Sequence, residues 1–312
     1  MKQFFVLLFA IALAGGSCTK EYQNPTPAEV ANPVDNTGGT GGTGGTGGTG
    51  GTGSTGISPV PSSFSQKALV EEFTGTWCGY CPDGALILED MVSQGAGKII
   101  GASYHEGDAL QIGLFDTLDA TFDTIESFPS AMVNRVPFSG LLLIDRNYWS
   151  SAANMQLSQT APCGIAITSY IQSGNLSVTA HCGFNTTLSG GDYRISIILT
   201  EDGITGHPQN NYYDDGTLDP GSPLVGLGDP IIDFVHNHVV RASLTAALGD
   251  LIPASTMIPG GEYVTTKSAP IAGYNINNLR IVALINRVGP DANSHQVMNA
   301  QQANVYEVKD WD

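Results

Sequence analysis

Charge is scarce in this chain of 312 residues: 13% are charged, and 12 Lys and Arg stand against 29 Asp and Glu. The formal charge of −17 offers no basic face for phosphates, so neither nucleic acid nor anionic lipid headgroups are expected as partners. Long apolar runs are also missing. The longest, Phe4 to Ala14, falls short of the roughly 18 residues a membrane-spanning helix needs. Cysteine is the third scarcity, with five in all: Cys18, Cys78, Cys81, Cys163 and Cys182. Only Cys78 and Cys81 share the Cys-x-x-Cys spacing, and no second such pair supplies two further ligands, so no metal site is expected.

What is present at the N-terminus reads as an export signal. Lys2 and the apolar stretch to Ala14 precede Gly15-Gly16-Ser17-Cys18, an approximate lipobox with Gly15 where an aliphatic residue is usual. On this reading residues 1–18 are a lipoprotein signal and Cys18 is lipidated, so the membrane is reached only through an N-terminal lipid anchor. The alternative is cleavage after Ala14, which would release a secreted protein. Residues 19–62 hold Gly-Gly-Thr repeats and few apolar side chains, a disordered tether whose about 44 residues span roughly 35–40 Å. The remaining 250 or so residues are enough to bury one or two cores.

The densest signal is Trp77-Cys78-Gly79-Tyr80-Cys81-Pro82 behind the apolar run Ala68–Phe73. A strand feeding a helix would place the first thiol near unpaired backbone N–H groups, which favour a thiolate, the species that attacks disulfides. Pro82 to Gln94 carries Ala85, Leu88, Met91 and Val92 at helical spacing, with Gly95 and Gly97 as stop signals. A second strand is expected over Ile99–Tyr104, a helix over Asp116–Ile125, and a short strand over Ala131–Val133 after Phe128-Pro129. Tyr104-His105-Glu106-Gly107-Asp108 ends the second strand. It reads as a polar loop in which His105 is a possible acid–base helper.

This order of elements resembles the thioredoxin fold over residues 63–160. The resemblance implies that Cys78 is the nucleophile and Cys81 the resolving thiol. It further implies that Pro129 is the cis-proline beside the disulfide, and that Glu72, six residues before Cys78, is the buried carboxylate that moves the proton of Cys81. Trp77, Tyr80 and Phe128 would flank the incoming peptide. Gly79-Tyr80 matches neither the usual reductant nor the strong-oxidant pair, which leaves the redox poise open.

Beyond residue 160 the pattern turns to strands: Cys163–Gln172, Leu176–Phe184, Tyr193–Thr200, His236–Leu244, Glu262–Ser268, Leu279–Val288 and Val297–Val308. Residues 161–312 are therefore expected to form an all-β, Ig-like β-sandwich. Cys163 and Cys182 are the thiols left for a structural disulfide in an oxidising compartment. The hairpin register counts against direct pairing, because a Gly174-Asn175 turn offsets them by four residues. Glu201 to Asp233 reads as a solvated acidic loop, and His236-Asn237-His238 as a strand start.

The segments Glu71–Pro82, Tyr104–Asp108, Phe128–Ser130, His236–Arg241 and Val297–Gln301 together resemble the outer-membrane-protein-28-related lipoproteins of Bacteroidetes, across residues 65–309. That resemblance implies a lipoprotein anchored to the outer membrane of the cell envelope. The expected function is thiol–disulfide exchange with exported proteins, a redox partner resetting the pair, and no cofactor. The alternative is a surface binding or adhesion lipoprotein in which the pair is not catalytic.

Overall fold

The computed structural model describes residues 56–122 and 125–312, so the signal segment 1–18, Cys18 and the tether to residue 55 lie outside the described residues. The described residues form one compact unit. Its chain order is β1 (Ala68–Thr74), α1 (Cys81–Gln94), β2 (Ile99–His105), α2 (Leu114–Thr121), β3 (Ser130–Val133), β4 (Ile144–Asp145) and α3 (Trp149–Leu157). Then follow β5 (Cys163–Gln172), β6 (Asn175–Phe184), β7 (Asp192–Glu201), β8 (Val239–Ser243), β9 (Asp250–Leu251), β10 (Glu262–Pro270), β11 (Leu279–Val288) and β12 (Val297–Asn304). The architecture is mixed α/β, with much strand and few helices.

One sheet of nine strands runs in the order β12-β11-β7-β8-β2-β1-β3-β4, with β9 paired to β7; β10-β6-β5 form a second sheet. Residues on either side of position 160 thus share a sheet, joined where β2 meets β8 at Ser103 and Val239. β1 and β2 are parallel, with Glu72 opposite Ser103 and Thr74 opposite His105.

Strand alternation sorts the side chains into layers. Ile195, Ile197 and Leu199 of β7 and Ile281, Ala283 and Ile285 of β11 face the small sheet, packing on Ile165, Val178 and Phe184. Ile198, Val282 and Leu284 point the other way, into a core shared with Phe73, Tyr104 and the α2 residues Phe115 and Leu118. On the opposite face of β1, Ala68 and Val70 pack against Leu88 and Met91 of α1 and Trp149 of α3. Asp145 caps the next turn: its side chain accepts from Asn147 N–H and starts Arg146–Tyr148, which leads into α3.

Three expectations need correction. The hairpin after β5 turns at Ser173-Gly174, both at positive φ, one residue earlier than expected. Cys163 consequently faces Phe184 and Cys182 faces Ile165. The disulfide between Cys163 and Cys182 is absent and both thiols are free. They are diagonal neighbours two residues out of register, a spacing of about 7–8 Å that exceeds what a disulfide spans. Burial pushes both thiols well up, so they behave as small apolar core residues. The tether is also shorter than expected. Ser58 N–H donates to Asp310 at 3.1 Å, the Trp311 indole donates to the Ser58 carbonyl at 2.7 Å, and Phe64 lies over Gly164. Among the described residues no helix is long and apolar enough to cross a membrane, and no group of His, Cys, Asp and Glu could hold a metal.

The α2 face of β1 buries a charge pair. Arg135 binds Glu71 through Nε at 2.7 Å and Nη2 at 2.8 Å, and its guanidinium sits 5.3 Å from the Phe122 ring centre. Removing one partner strands the other charge out of water. Arg135→Met should therefore lose about 3–5 kcal/mol of stability in urea unfolding. The double change Glu71→Met, Arg135→Met should recover most of that loss; a double variant as unstable as the single one would refute the assignment.

Candidate functional site

The end of β1 delivers the chain into a tight turn, Gly75 to Tyr80, that opens α1. Two bonds close it, Cys78 N–H to the Gly75 carbonyl at 3.0 Å and Cys81 N–H to the Cys78 carbonyl at 3.1 Å. Cys78 and Cys81 are joined as a disulfide, with Cα atoms 5.3 Å apart. Pro82 takes an early helix position where its missing N–H costs little. Phe128-Pro129 is a cis peptide that leads into β3.

Gly84 shows how closely these parts approach. A Cβ there would stand 2.9 Å from Pro129 Cβ and 3.1 Å from Glu72 Oε1, so only glycine lets α1 settle over both. Trp77 donates its indole N–H to the Glu106 carbonyl at 2.7 Å and meets Phe128 edge-on at 5.3 Å. Trp77 and Tyr80 are each 43% exposed, whereas Cys78 is only 5% exposed. The fold thus gathers Cys78, Cys81, Glu72, Trp77, Tyr80, Phe128, Pro129 and His105 into one neighbourhood.

Below the disulfide lies a small polar cavity. Glu72, Cys81, Ser103, His105, Gln209 and His236 are among its lining residues. Glu72 Oε2 accepts from Ser103 Oγ at 2.7 Å, while Oε1 is buried with no partner. Burial pushes the Glu72 carboxyl above its ordinary range, against the opposing pull of Ser103, His105 and His238. His105 Nδ1 lies 2.7 Å from Asp108 Oδ2. Burial works against the Asp108 carboxylate, but His105 and the N–H groups of Thr76 and Leu110 hold it down at about 2. Burial lowers His236 to about 4. His238 goes the other way: despite its burial, Glu89 at 3.2 Å and Asp202 at 3.5 Å raise it.

Glu201 to Asp233, expected as a solvated loop, instead straps the turn. Gln209 Nε2 donates to the carbonyls of Cys78 at 2.9 Å, Gly75 at 3.2 Å and Thr76 at 3.3 Å. Asn210 N–H donates to the Thr76 carbonyl at 2.8 Å and its side-chain amide to the Trp77 carbonyl at 2.9 Å. Tyr212 N–H donates to the Gly79 carbonyl at 2.9 Å. The Tyr212 ring covers Gly79 so tightly that a Cβ would fall 2.3 Å from it, and Tyr80 meets Tyr212 edge-on. Arg146 fixes the strap from below, bonding Asp83 at 2.5 Å and Tyr213 Oη at 2.7 Å. The one sequence signal for this docking was Tyr212-Tyr213, a bulky aromatic pair out of place in a solvated acidic loop.

Two outcomes test this geometry. Gln209→Leu removes a donor that three turn carbonyls share, each of them keeping a backbone partner, and should cost about 0.5–1.5 kcal/mol. Amide exchange should quicken at residues 75–80 and 209–213 but not in β11; uniform protection would contradict the strap. The second concerns Glu72. An acid whose native pKa is raised binds a proton in the native state that the unfolded chain has released, so stability falls as pH rises from the ordinary carboxylate range toward the raised value. Glu72→Gln should match the wild type best near about pH 4 and be the more stable protein at neutral pH. Parallel urea midpoints across that window would refute it.

Three comparisons with known proteins bear on identity. A family model described as outer membrane protein Omp28 matches residues 116–309, more than half of the chain. No curated protein matches. Among solved structures, HBP35 of Porphyromonas gingivalis is similar at 20% identity with a TM-score of 0.62, covering 80% of this chain and 78% of that one. At that identity the likeness speaks for the mixed α/β fold alone. A domain of the outer membrane lipoprotein Omp28 from Porphyromonas gingivalis is similar at 14% identity, over 49% of this chain and 92% of that one, with a TM-score of 0.27 that carries no argument on fold. The chain belongs to the Omp28 family of outer membrane proteins and is associated with the outer membrane of the cell envelope.

Proposed function

We propose that this protein is an envelope thiol–disulfide oxidoreductase. Residues 63–160 serve as a thioredoxin-like unit and residues 161–312 as a β-sandwich partner, and a lipid on Cys18 anchors the chain through its tether. The observation that carries the reading is a Cys78–Cys81 disulfide whose second sulfur shares a cavity with the buried carboxyl of Glu72. A buried carboxyl with a raised pKa beside a dithiol suits proton transfer better than structural bracing.

In the reduced protein the Cys78 thiolate attacks a substrate disulfide and releases one substrate thiolate. Cys81 then gives its proton to Glu72 and attacks Cys78 Sγ, re-forming the intramolecular disulfide and releasing the second substrate thiolate. Two electrons pass to the substrate. Trp77, Tyr80, Phe128 and Pro129 flank the pair and would seat an exported polypeptide. A redox partner resets the disulfide, and the chemistry calls for no cofactor.

A second reading, a surface binding lipoprotein with an inert bridge, is favoured by two observations. Cys78 is almost wholly covered, and the strap ties down the turn that must move for exchange. The reduction potential of the Cys78–Cys81 pair separates the two. Equilibration in glutathione buffers with mass-tagging of free thiols should give a value between roughly −120 and −270 mV, among catalytic dithiols. A value below about −300 mV would mark a structural bridge and hand the function to the binding reading. Cys78→Ser with Cys81→Ser should abolish exchange and leave the fold intact.

A further inference from the structure

Glu72 must discharge the proton it takes from Cys81, yet it is sealed in. It is 1% exposed, one carboxyl oxygen is held by Ser103, and the other has no partner. The way out is the cavity it lines, which has room for about one water. Across that cavity stand two imidazoles, His105 and His236, with ring centres 5.4 Å apart. We propose that His236 is the proton outlet of the site, taking the Glu72 proton through a water in this cavity and passing it toward the surface beside His207 and Asp108. The assignment rests on the oxidoreductase reading.

The tautomer of His236 fits the task. Its Nε2 lies 2.8 Å from the His207 carbonyl, which can only accept, so Nε2 carries the hydrogen and Nδ1 holds a lone pair in the neutral ring. Its surroundings set its affinity for a proton. Burial opposes protonation most, the bond to the His207 carbonyl and the ionised Asp108 favour it, and the rings of His105 and His207 oppose it. Burial acts on the two partners in opposite senses, raising the carboxyl of Glu72 and lowering His236 to about 4. His236 is therefore neutral at working pH and holds a proton only in transit, as an outlet requires. His238 also acts on Glu72, but it does not line this cavity, and Glu89 and Asp202, 3.2 and 3.5 Å from its ring nitrogens, strengthen its hold on a proton. The proton count closes: a Cys78 thiolate, a Cys81 thiol and a substrate disulfide become one protein disulfide, two substrate thiolates and one proton, which leaves by His236. Of the next groups along the line His207 is only partly buried, whereas the Asp108 side chain is covered.

The test uses the full chain with Cys18→Ala, so that both surviving free thiols are buried. Glutathione disulfide is the substrate and dithiothreitol the reductant. His236→Gln keeps a donor for the His207 carbonyl but cannot relay a proton. It should lower turnover by about a hundredfold, the low end for a positioned acid–base group, and abolish the solvent deuterium isotope effect on the wild-type rate-limiting proton step. The reduction potential and the alkylation rate of Cys78 should not move. Imidazole in the buffer should restore turnover to His236→Ala. Unchanged turnover in His236→Gln overturns the outlet and leaves the oxidoreductase reading standing. A loss matched by a shifted potential or alkylation rate marks a structural role and also overturns it. A wild type without turnover overturns both.

Discussion

Every residue of β1 is buried, and the strand carries two adjacent glutamates into opposite faces of the sheet. This constraint organises the rest of the molecule. Neither carboxyl can be left as a free charge out of water, and the fold answers the two problems differently. On the α2 face Glu71 is bonded twice by Arg135, whose guanidinium lies against Phe122, and meets the Tyr104 hydroxyl. On the α1 face Glu72 receives only a hydroxyl, from Ser103, and burial shifts it toward its neutral form. One carboxyl becomes an ion-pair anchor and the other a buried acid with only a hydroxyl partner, because the charge partner stands on one side of the strand only.

The second organising element is the segment from Gln209 to Tyr213. The turn bonds only the carbonyls of Gly75 and Cys78 to its own N–H groups, and its five carbonyls from Gly75 to Gly79 lie within reach of this segment. The strap supplies donors to all five. In doing so it closes one flank of the disulfide and leaves access along the side of Trp77 and Phe128. The same excursion brings His236 to the edge of β2, so the loop that shields the disulfide also completes the cavity beneath it. The site is therefore built by both halves of the chain, which the shared sheet holds together.

Much of the strand and helix inventory was readable from local pattern: β1, α1, β2, β7 and β11 begin and end within a residue or two of where apolar periodicity placed them. The gathering of Cys78, Cys81, Glu72 and Pro129 could be anticipated because strand–turn–helix spacing is short-range. The errors have physical causes too. The hairpin at Ser173-Gly174 differs by one residue from the expected turn, and a single-residue slip was enough to change the partners of Cys163 and Cys182. The role of Gln209 lay beyond pattern analysis, since a glutamine in a polar loop looks alike whether it faces water or three carbonyls.

The sequence alone determined the chemistry available: a single close-spaced dithiol, an acid six residues ahead of it, too few cations for polyanion binding, and strands enough for two sheets. These follow from residue type and near-neighbour spacing, which the backbone cannot rearrange. Tertiary packing decided which groups are dry, which are paired and which meet. The unpaired oxygen of Glu72, the free thiols of Cys163 and Cys182, and the approach of His236 to His105 each depend on segments distant in the chain. Burial, and with it proton affinity, is a property of those long-range contacts, and no local reading contains it.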